Sequence, residues 1–325
     1  MKVNQTGHYS RTAVILINMG GPRGLDKVRP FMFNLFNDRH IMDIPQPVRA
    51  FVAQMIVAIR TPNVKHHYSL IGGGSPLMQW TECQASLVEE GLKEQSPRLT
   101  AQFAYSYIEP SVATAMAAAL ESGAERIIAV PLYPYYSIST LGSIYTDLEK
   151  ARGKYKLGDN LKIIRPFYDD PLFIEGIIES LQGALRQIDL SRPFYVQFSA
   201  HALPQSFIAK GDPYRMQVER TVAVLLERFP VENHTLSFQS KIGPVAWMKP
   251  STIETVQRLG REGVKQLVVM PLGFVCDHIE TLYELDIELA GIARKAGIEK
   301  FARGGVFNDH PKFISLLKSL IEEQM

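Results

Sequence analysis

The sequence predicts an α/β fold of two similar domains, each a parallel sheet flanked by helices, with one active-site cleft between them. Two observations carry this. Gly123-Ala-Glu-Arg-Ile-Ile-Ala-Val-Pro-Leu132, running on through Tyr-Pro-Tyr-Tyr-Ser-Ile-Ser-Thr140, reads as a copy of Gly263-Val-Lys-Gln-Leu-Val-Val-Met-Pro-Leu272, running on through Gly-Phe-Val-Cys-Asp-His-Ile-Glu280. Each is an apolar run closed by Pro-Leu, which fits a buried parallel strand handing over to a loop and helix. Strand-like and helix-like segments also alternate along all 325 residues, enough chain for two domains of ordinary size. The copies differ where chemistry could occur. Ser137, Ile138 and Thr140 stand where the second copy has Asp277, His278 and Glu280. A duplicated scaffold with one ionisable half implies a single active site.

Residues 13–18, Ala-Val-Ile-Leu-Ile-Asn, read as the first buried strand, ended by Met19-Gly20-Gly21-Pro22. Residues 25–36 are helical in pattern, with Pro30 expected to kink or restart the helix. Residues 71–76, Ile-Gly-Gly-Gly-Ser-Pro, are a loop, and 78–94 a helix. Residues 99–107 alternate like a strand, and the Ala-rich 109–122 is helical because alanine loses no side-chain entropy there. The duplicated strand and a helix near 142–152 complete the half. The pattern then restarts with a connecting strand at 161–166 and a helix at 171–187. Residues 194–198 are a buried strand ending in Ser199-Ala-His-Ala-Leu-Pro204. A helix (214–229), a strand (236–239), a helix (253–262), the second copy and a final helix (311–323) close the chain. The boundary falls near Phe167, giving domains 1–166 and 167–325, with the last helix free to pack back on the first.

An apolar fraction of 46% and a charged fraction of 21% are those of a soluble globular protein. The net charge of +2, without a dense Lys/Arg block, argues against nucleic acid as a partner. Cys83 and Cys276 form no Cys-x-x-Cys pair, so a reducing, cytoplasmic setting is the simpler reading. The N-terminus is polar and lacks a secretory apolar core. The best apolar stretch, 50–59, is about half of the roughly 20 residues that a membrane span needs. Phe31, Met32, Phe33, Leu35, Phe36, Ile41, Met42 and Ile44 precede it. They either cover a neighbouring core or form an exposed lip for a flat hydrophobic ligand or a membrane surface.

Asp277, Glu280, Glu284 and Glu288 are spaced three, four and four apart, so on an α-helix they share a face. Such a row is commonly just a solvated acidic face. Here it starts at a strand end beside Phe274 and includes His278, which suits a path for a divalent cation that accepts oxygen and imidazole. His201, between two alanines after an apolar strand, is either a satisfied structural histidine or an imidazole aimed into a cavity. No Gly-x-Ser-x-Gly, His-Glu-x-x-His or Walker lysine motif is present, and Gly20-Gly21 and Gly72-Gly73-Gly74 lack the rest of a phosphate-loop fingerprint.

Phe198-Ser-Ala-His-Ala-Leu-Pro204, Gly211-Asp-Pro-Tyr214, Phe238-Gln-Ser-Lys-Ile-Gly-Pro244 and Asp277-His-Ile-Glu-Thr-Leu-Tyr-Glu-Leu-Asp-Ile-Glu288 resemble the ferrochelatase family. So do Leu16-Ile-Asn-Met-Gly-Gly-Pro22, Arg60-Thr-Pro62 and Ile71-Gly-Gly-Gly-Ser-Pro76. The resemblance covers nearly the whole chain. It implies two Rossmann-like domains and insertion of Fe(II) into protoporphyrin IX to give protohaem, the last step of haem synthesis.

On that resemblance His201 accepts pyrrole protons, and Glu280 faces it across the macrocycle, binding incoming metal or passing protons outward. Asp277, His278, Glu284 and Glu288 form an outer relay. Met19, Tyr68, Ser75, Tyr107, Trp247 and Phe274 are implied as porphyrin walls, and Arg60 as a partner for a ring propionate. The chain departs from the animal pattern at Asn63, where Lys65 could substitute, and at Ser106, where an arginine is expected. Ile138 replaces a cluster-ligating cysteine, so neither an iron–sulfur cluster nor another cofactor is expected. The rival readings are a coproporphyrin ferrochelatase, a chelatase for another tetrapyrrole and a non-catalytic two-lobed haem carrier.

Overall fold

The computed structural model describes residues 11–325 except 241, 242 and 244. The polar N-terminal segment and residues 241, 242 and 244 of the Phe238–Pro244 motif therefore lie outside the described residues. Two four-stranded parallel sheets follow one another along the chain. The first half runs β1 (Thr12–Asn18), α1 (Val28–Phe36), α2 (Val48–Ser69), α3 (Leu77–Leu92), β2 (Leu99–Tyr105), α4 (Val112–Glu121), β3 (Arg126–Pro131), α5 (Ser143–Tyr155), β4 (Leu161–Ile163) and α6 (Pro171–Leu185). The second runs β5 (Tyr195–His201), α7 (Gln205–Ala209), α8 (Tyr214–Arg228), β6 (His234–Gln239), α9 (Thr252–Arg261), β7 (Gln266–Leu272), α10 (Ala290–Lys295), β8 (Lys300–Arg303) and α11 (Pro311–Glu322). Strand orders are β2-β1-β3-β4 and β6-β5-β7-β8, one topology used twice.

The alternation of side chains along a strand divides the core. Val14 and Leu16 of β1 join Val268, Met270 and Leu272 of β7 in one cluster shared by both halves. Ala13, Ile15 and Ile17 face a separate first-half cluster, and Leu267 and Val269 a second-half one. Both faces of each central strand are thus dry, which is why these strands read as unbroken apolar runs. The closing helices tie the halves together. Helix α11 packs on α3 and β3 of the first half, and α6 packs on α8, β7 and β8 of the second.

The register makes the duplication exact in space. Ile17 pairs with Pro131 and Ala104, and Ser199 pairs with Pro271 and Ser237. Counting on from these pairs by two, three and nine residues respectively, Met19, Tyr107 and Thr140 of the first half correspond to His201, Ser240 and Glu280 of the second. Gly20 makes the first turn possible: its φ is +82°, and a Cβ there would lie 2.6 Å from Ile108.

Several elements differ from expectation. Pro30 causes no kink because it lies in the first turn of α1, where its missing N–H has no intrahelical partner to lose. The apolar stretch at 50–59 belongs to a 22-residue helix, α2, that continues through Pro62. Strand β8 was not foreseen at all. The acidic row lies largely on a π-helix, Glu280–Leu289, and its counterpart after β3 is a short π-helical turn, Ile138–Gly142.

The apolar segment before α2 also divides. Phe31, Met32 and Phe36 are buried in a cluster between α1 and α2, rather than forming the outer lip. The outward ridge is on α2 itself, where Val48, Phe51, Met55 and Ile59 are each at least half exposed. No helix of the described residues is long and apolar enough to cross a membrane.

Candidate active site

In each sheet the chain leaves the central pair of strands in opposite directions, and ligands gather beyond strand carboxyl ends at such points. A cavity of about 360 Å³ opens there between the halves, within the roughly 300–1,000 Å³ usual for small-molecule sites. Met19, Arg60, Tyr68 and Tyr107 line it from the first half, and His201, Trp247, Phe274, His278, Glu280 and Glu284 from the second. The segment around α1 contributes apolar wall through Phe31, Met32, Leu35, Phe36 and Ile41.

His201 ends β5 and Glu280 begins the π-helix, and the two meet directly: Nδ1 lies 2.8 Å from Oε2. They do not face each other across a slot, as expected from the sequence, since no macrocycle fits in a hydrogen bond. Both lie on one side, and the wall across the cavity comes from the first half. With Nδ1 engaged, Nε2 is the ring nitrogen left to meet a ligand, and 36% of the side-chain surface is open. Burial pulls the His201 pKa down, but the charge and hydrogen bond of Glu280 outweigh it and the net shift is upward. For Glu280, burial pushes up, while His201 and His278 hold the carboxyl well below its usual range. Each partner therefore favours the charged form of the other.

His278 is buried, with Nδ1 3.1 Å from the Cys276 carbonyl and Nε2 3.7 Å from Glu280 Oε1. Donation from Nδ1 to that carbonyl leaves Nε2 toward Glu280. One step further along the π-helix, Glu284 is pushed up to about 8 by burial and by the charge of Glu280, against the hydrogen bond from Ser240. The Ser240 hydroxyl lies 3.1 Å from Glu280 Oε2 and 2.5 Å from Glu284 Oε2, so it bridges the two carboxylates. Sequence reasoning gave Ser240 no role, although it lies in the Phe238-Gln-Ser-Lys motif.

Three expected site residues lie elsewhere. Asp277 accepts hydrogen bonds from Thr281 and Asn308, both at 2.8 Å, and lies 3.4 Å from Arg303, so it braces the start of the π-helix. Glu288 lies on the exposed side beyond the cavity, because a π-helix turns each four-residue step differently from an α-helix. Ser75 is buried behind the wall, its N–H donating to Pro22 O at 2.8 Å and its side chain packed on Gly21.

The first-half wall is held by groups that the sequence did not reveal. Asp38 accepts hydrogen bonds from the hydroxyls of Tyr107 (2.9 Å) and Ser143 (2.7 Å) and from the His40 N–H (2.8 Å). Burial raises its carboxyl, but these bonds together bring the net shift below the usual range. Asp212 reaches across from the second half, accepting from the Ser137 hydroxyl (3.0 Å) and the Ile138 N–H (2.8 Å). Both carboxylates thus fix cavity wall. Arg60 lies over the Phe36 ring at 5.8 Å, and His67 stacks on Tyr283 at 3.8 Å, joining α2 to the π-helix.

A model of the ferrochelatase family matches residues 11–325. The chain is 43% identical to a ferrochelatase of Geotalea daltonii over 314 residues, covering 96% of this chain and 97% of that one. It is 37% identical to a ferrochelatase of Aquifex aeolicus over 317 residues, covering 97% and 100%. Among solved structures, SirB from Bacillus subtilis with Fe3+ superposes with a TM-score of 0.57 at 13% identity, covering 97% of this chain and 95% of that one, a likeness of fold.

Proposed function

The chain belongs to the ferrochelatase family, enzymes that insert a metal ion into a porphyrin, and on that premise we propose that its substrates are Fe(II) and protoporphyrin IX and its product protohaem. The observation that carries this reading is the His201–Glu280 pair on one wall of a largely apolar cavity. Iron enters as substrate, and no resident cofactor is needed. With two cysteines in the whole sequence, the chain cannot supply the four thiolates of an ordinary cluster.

Two pyrrole protons must leave as the metal enters. Glu280 on Nδ1 makes the His201 ring more basic and fixes its orientation, so that Nε2, partly open to solvent, can take the two pyrrole protons in turn and release each to water before the next. Approach of a dication beside Glu280 favours that release, because positive charge lowers an imidazolium pKa. Glu284 then serves as the outer group that incoming metal meets first, and Glu280 as the oxygen ligand nearest the ring. His278, pinned at Nδ1, is an outer-relay member facing Glu280. The walls that include Met19, Tyr68, Tyr107, Trp247 and Phe274 would hold the flat ring.

The choice of porphyrin follows from charge. Arg60 is the only arginine or lysine lining the cavity among the described residues, and most of the remaining wall is apolar. That suits a ring with two carboxylates and apolar edges better than one with four. Ser106, which lines the cavity, offers a neutral hydroxyl for the second propionate. Anaerobic incubation with Fe(II) and each porphyrin, followed by absorbance, is the test. We expect a kcat/KM at least about tenfold higher for protoporphyrin IX than for coproporphyrin III. Turnover with coproporphyrin alone would reject the choice, and binding of either ring without metallation would favour a haem carrier.

We also propose that the exposed ridge of α2 rests on a membrane surface, where an apolar porphyrin would be exchanged. In support, no Asp or Glu occurs between Asp43 and Glu82, while Arg49, Arg60 and Lys65 do. An apolar ridge with basic neighbours is the pattern of an interfacial helix. Vesicles containing phosphatidylglycerol should sediment the protein, and Phe51→Glu with Ile59→Glu should weaken this at least about tenfold. Equal sedimentation of the double variant would refute the contact.

A further inference from the structure

Ser240 has a backbone φ of +67°, in the left-handed region that a serine adopts at a cost. The surrounding residues hold it there. Gln239 Nε2 lies 3.4 Å from both the Glu280 carbonyl and Glu284 Oε2, and Gln239 Oε1 accepts from the Ser199 hydroxyl at 2.8 Å. The strained backbone aims the Ser240 hydroxyl between two carboxylates four residues apart on the π-helix. A hydroxyl has one hydrogen and can give it to one oxygen at a time, while rotation about its C–O bond lets it serve either. Tyr107, the first-half counterpart, sends its hydroxyl away to Asp38 instead. The bridge thus belongs to the ionisable half alone.

We propose that Ser240 is a positioning residue for metal delivery, turning its hydroxyl to whichever of Glu280 and Glu284 is not engaged with the cation. While the metal is on Glu284, Ser240 holds Glu280 Oε2 beside His201. When the metal moves to Glu280, the hydroxyl turns to the Glu284 carboxyl left behind. No bond to substrate is made by Ser240, and porphyrin binding does not depend on it. The proposal rests on the metal-inserting reading given above.

The test separates hydroxyl from backbone. Ser240→Gly removes the hydroxyl yet adopts φ +67° without strain, so the local fold is kept, whereas Ser240→Ala removes the hydroxyl and retains the strain. Co(II) alone, titrated calorimetrically without porphyrin, reports the metal path independently of turnover. We expect both variants to lose about tenfold in Co(II) affinity and in kcat/KM for Fe(II), as for loss of a hydrogen bond to a charged group. Protoporphyrin affinity, read from tryptophan fluorescence quenching, should be unchanged. Wild-type metal binding and insertion by Ser240→Gly would overturn the proposal, as would a loss confined to Ser240→Ala or a wild type that binds no Co(II). A wild type that binds Co(II) but metallates no porphyrin would sink the functional reading instead, while the Co(II) difference between wild type and Ser240→Gly would still decide the role of Ser240.

Discussion

Replacing His201 by alanine should abolish metal insertion, with kcat lower by about 10²–10⁴-fold, while the porphyrin dissociation constant changes only a few-fold. The base is lost, but the apolar walls that hold the ring are not. The alanine variant also leaves Glu280 as a buried carboxylate without its histidine partner, and such a loss can cost about 3–5 kcal/mol of stability. Activity alone is therefore an ambiguous readout. His201→Asn resolves it, because an amide nitrogen in the position of Nδ1 can still donate to Glu280 while nothing remains in the place of Nε2. The asparagine variant should melt nearer to the wild type than the alanine variant and be as inactive. Absorbance of the metallated product and thermal melting, measured on both variants, decide the matter. Wild-type turnover in His201→Asn would remove His201 from proton transfer.

Much of this was legible in the sequence, and the parts that were not share a physical cause. The duplication could be read because buried parallel strands impose unbroken apolar runs, and Pro131-Leu132 and Pro271-Leu272 end both copies alike. Strand β8 escaped because Lys300-Phe-Ala-Arg is four residues long with a charge at each end. The π-helix escaped because carboxylates three and four apart look the same in sequence whether the helix bonds to i−4 or to i−5. That ambiguity is why Glu288 was expected in line with Glu284. His201 and Glu280 were identified by position, each just after a strand, but a strand end fixes where a side chain emerges and not how far apart two of them stand. A single hydrogen bond replaced the expected gap. Ser240, Asp38 and Asp212 could not have been ranked from sequence, since their importance comes from partners 40 to 105 residues away.

Glu284→Gln should make the protein more stable in alkaline solution and change little near pH 5. The sign follows from which state holds the proton. In the unfolded chain this carboxyl has its ordinary value of 4.5, whereas in the folded protein burial and Glu280 raise it to about 8. Between those values the folded state binds more protons than the unfolded one, so stability falls as pH rises through the window and the full penalty is present above it. His201 acts in the same direction: its pKa is raised on folding, so its stabilising contribution is present below 6.5 and is lost as pH climbs through the folded value. Glu280 acts oppositely, with a folded pKa below 4.5, and its contribution is lost only in acid. Glutamine removes the first effect and keeps an oxygen that can accept from Ser240. The melting curves of wild type and variant should therefore meet near pH 5 and separate by roughly 3–8 °C at pH 9. Parallel pH profiles for the two proteins would mean that Glu284 is ionised at neutral pH. Fe(II) would then pass along two charged carboxylates rather than from a neutral acid to a charged one.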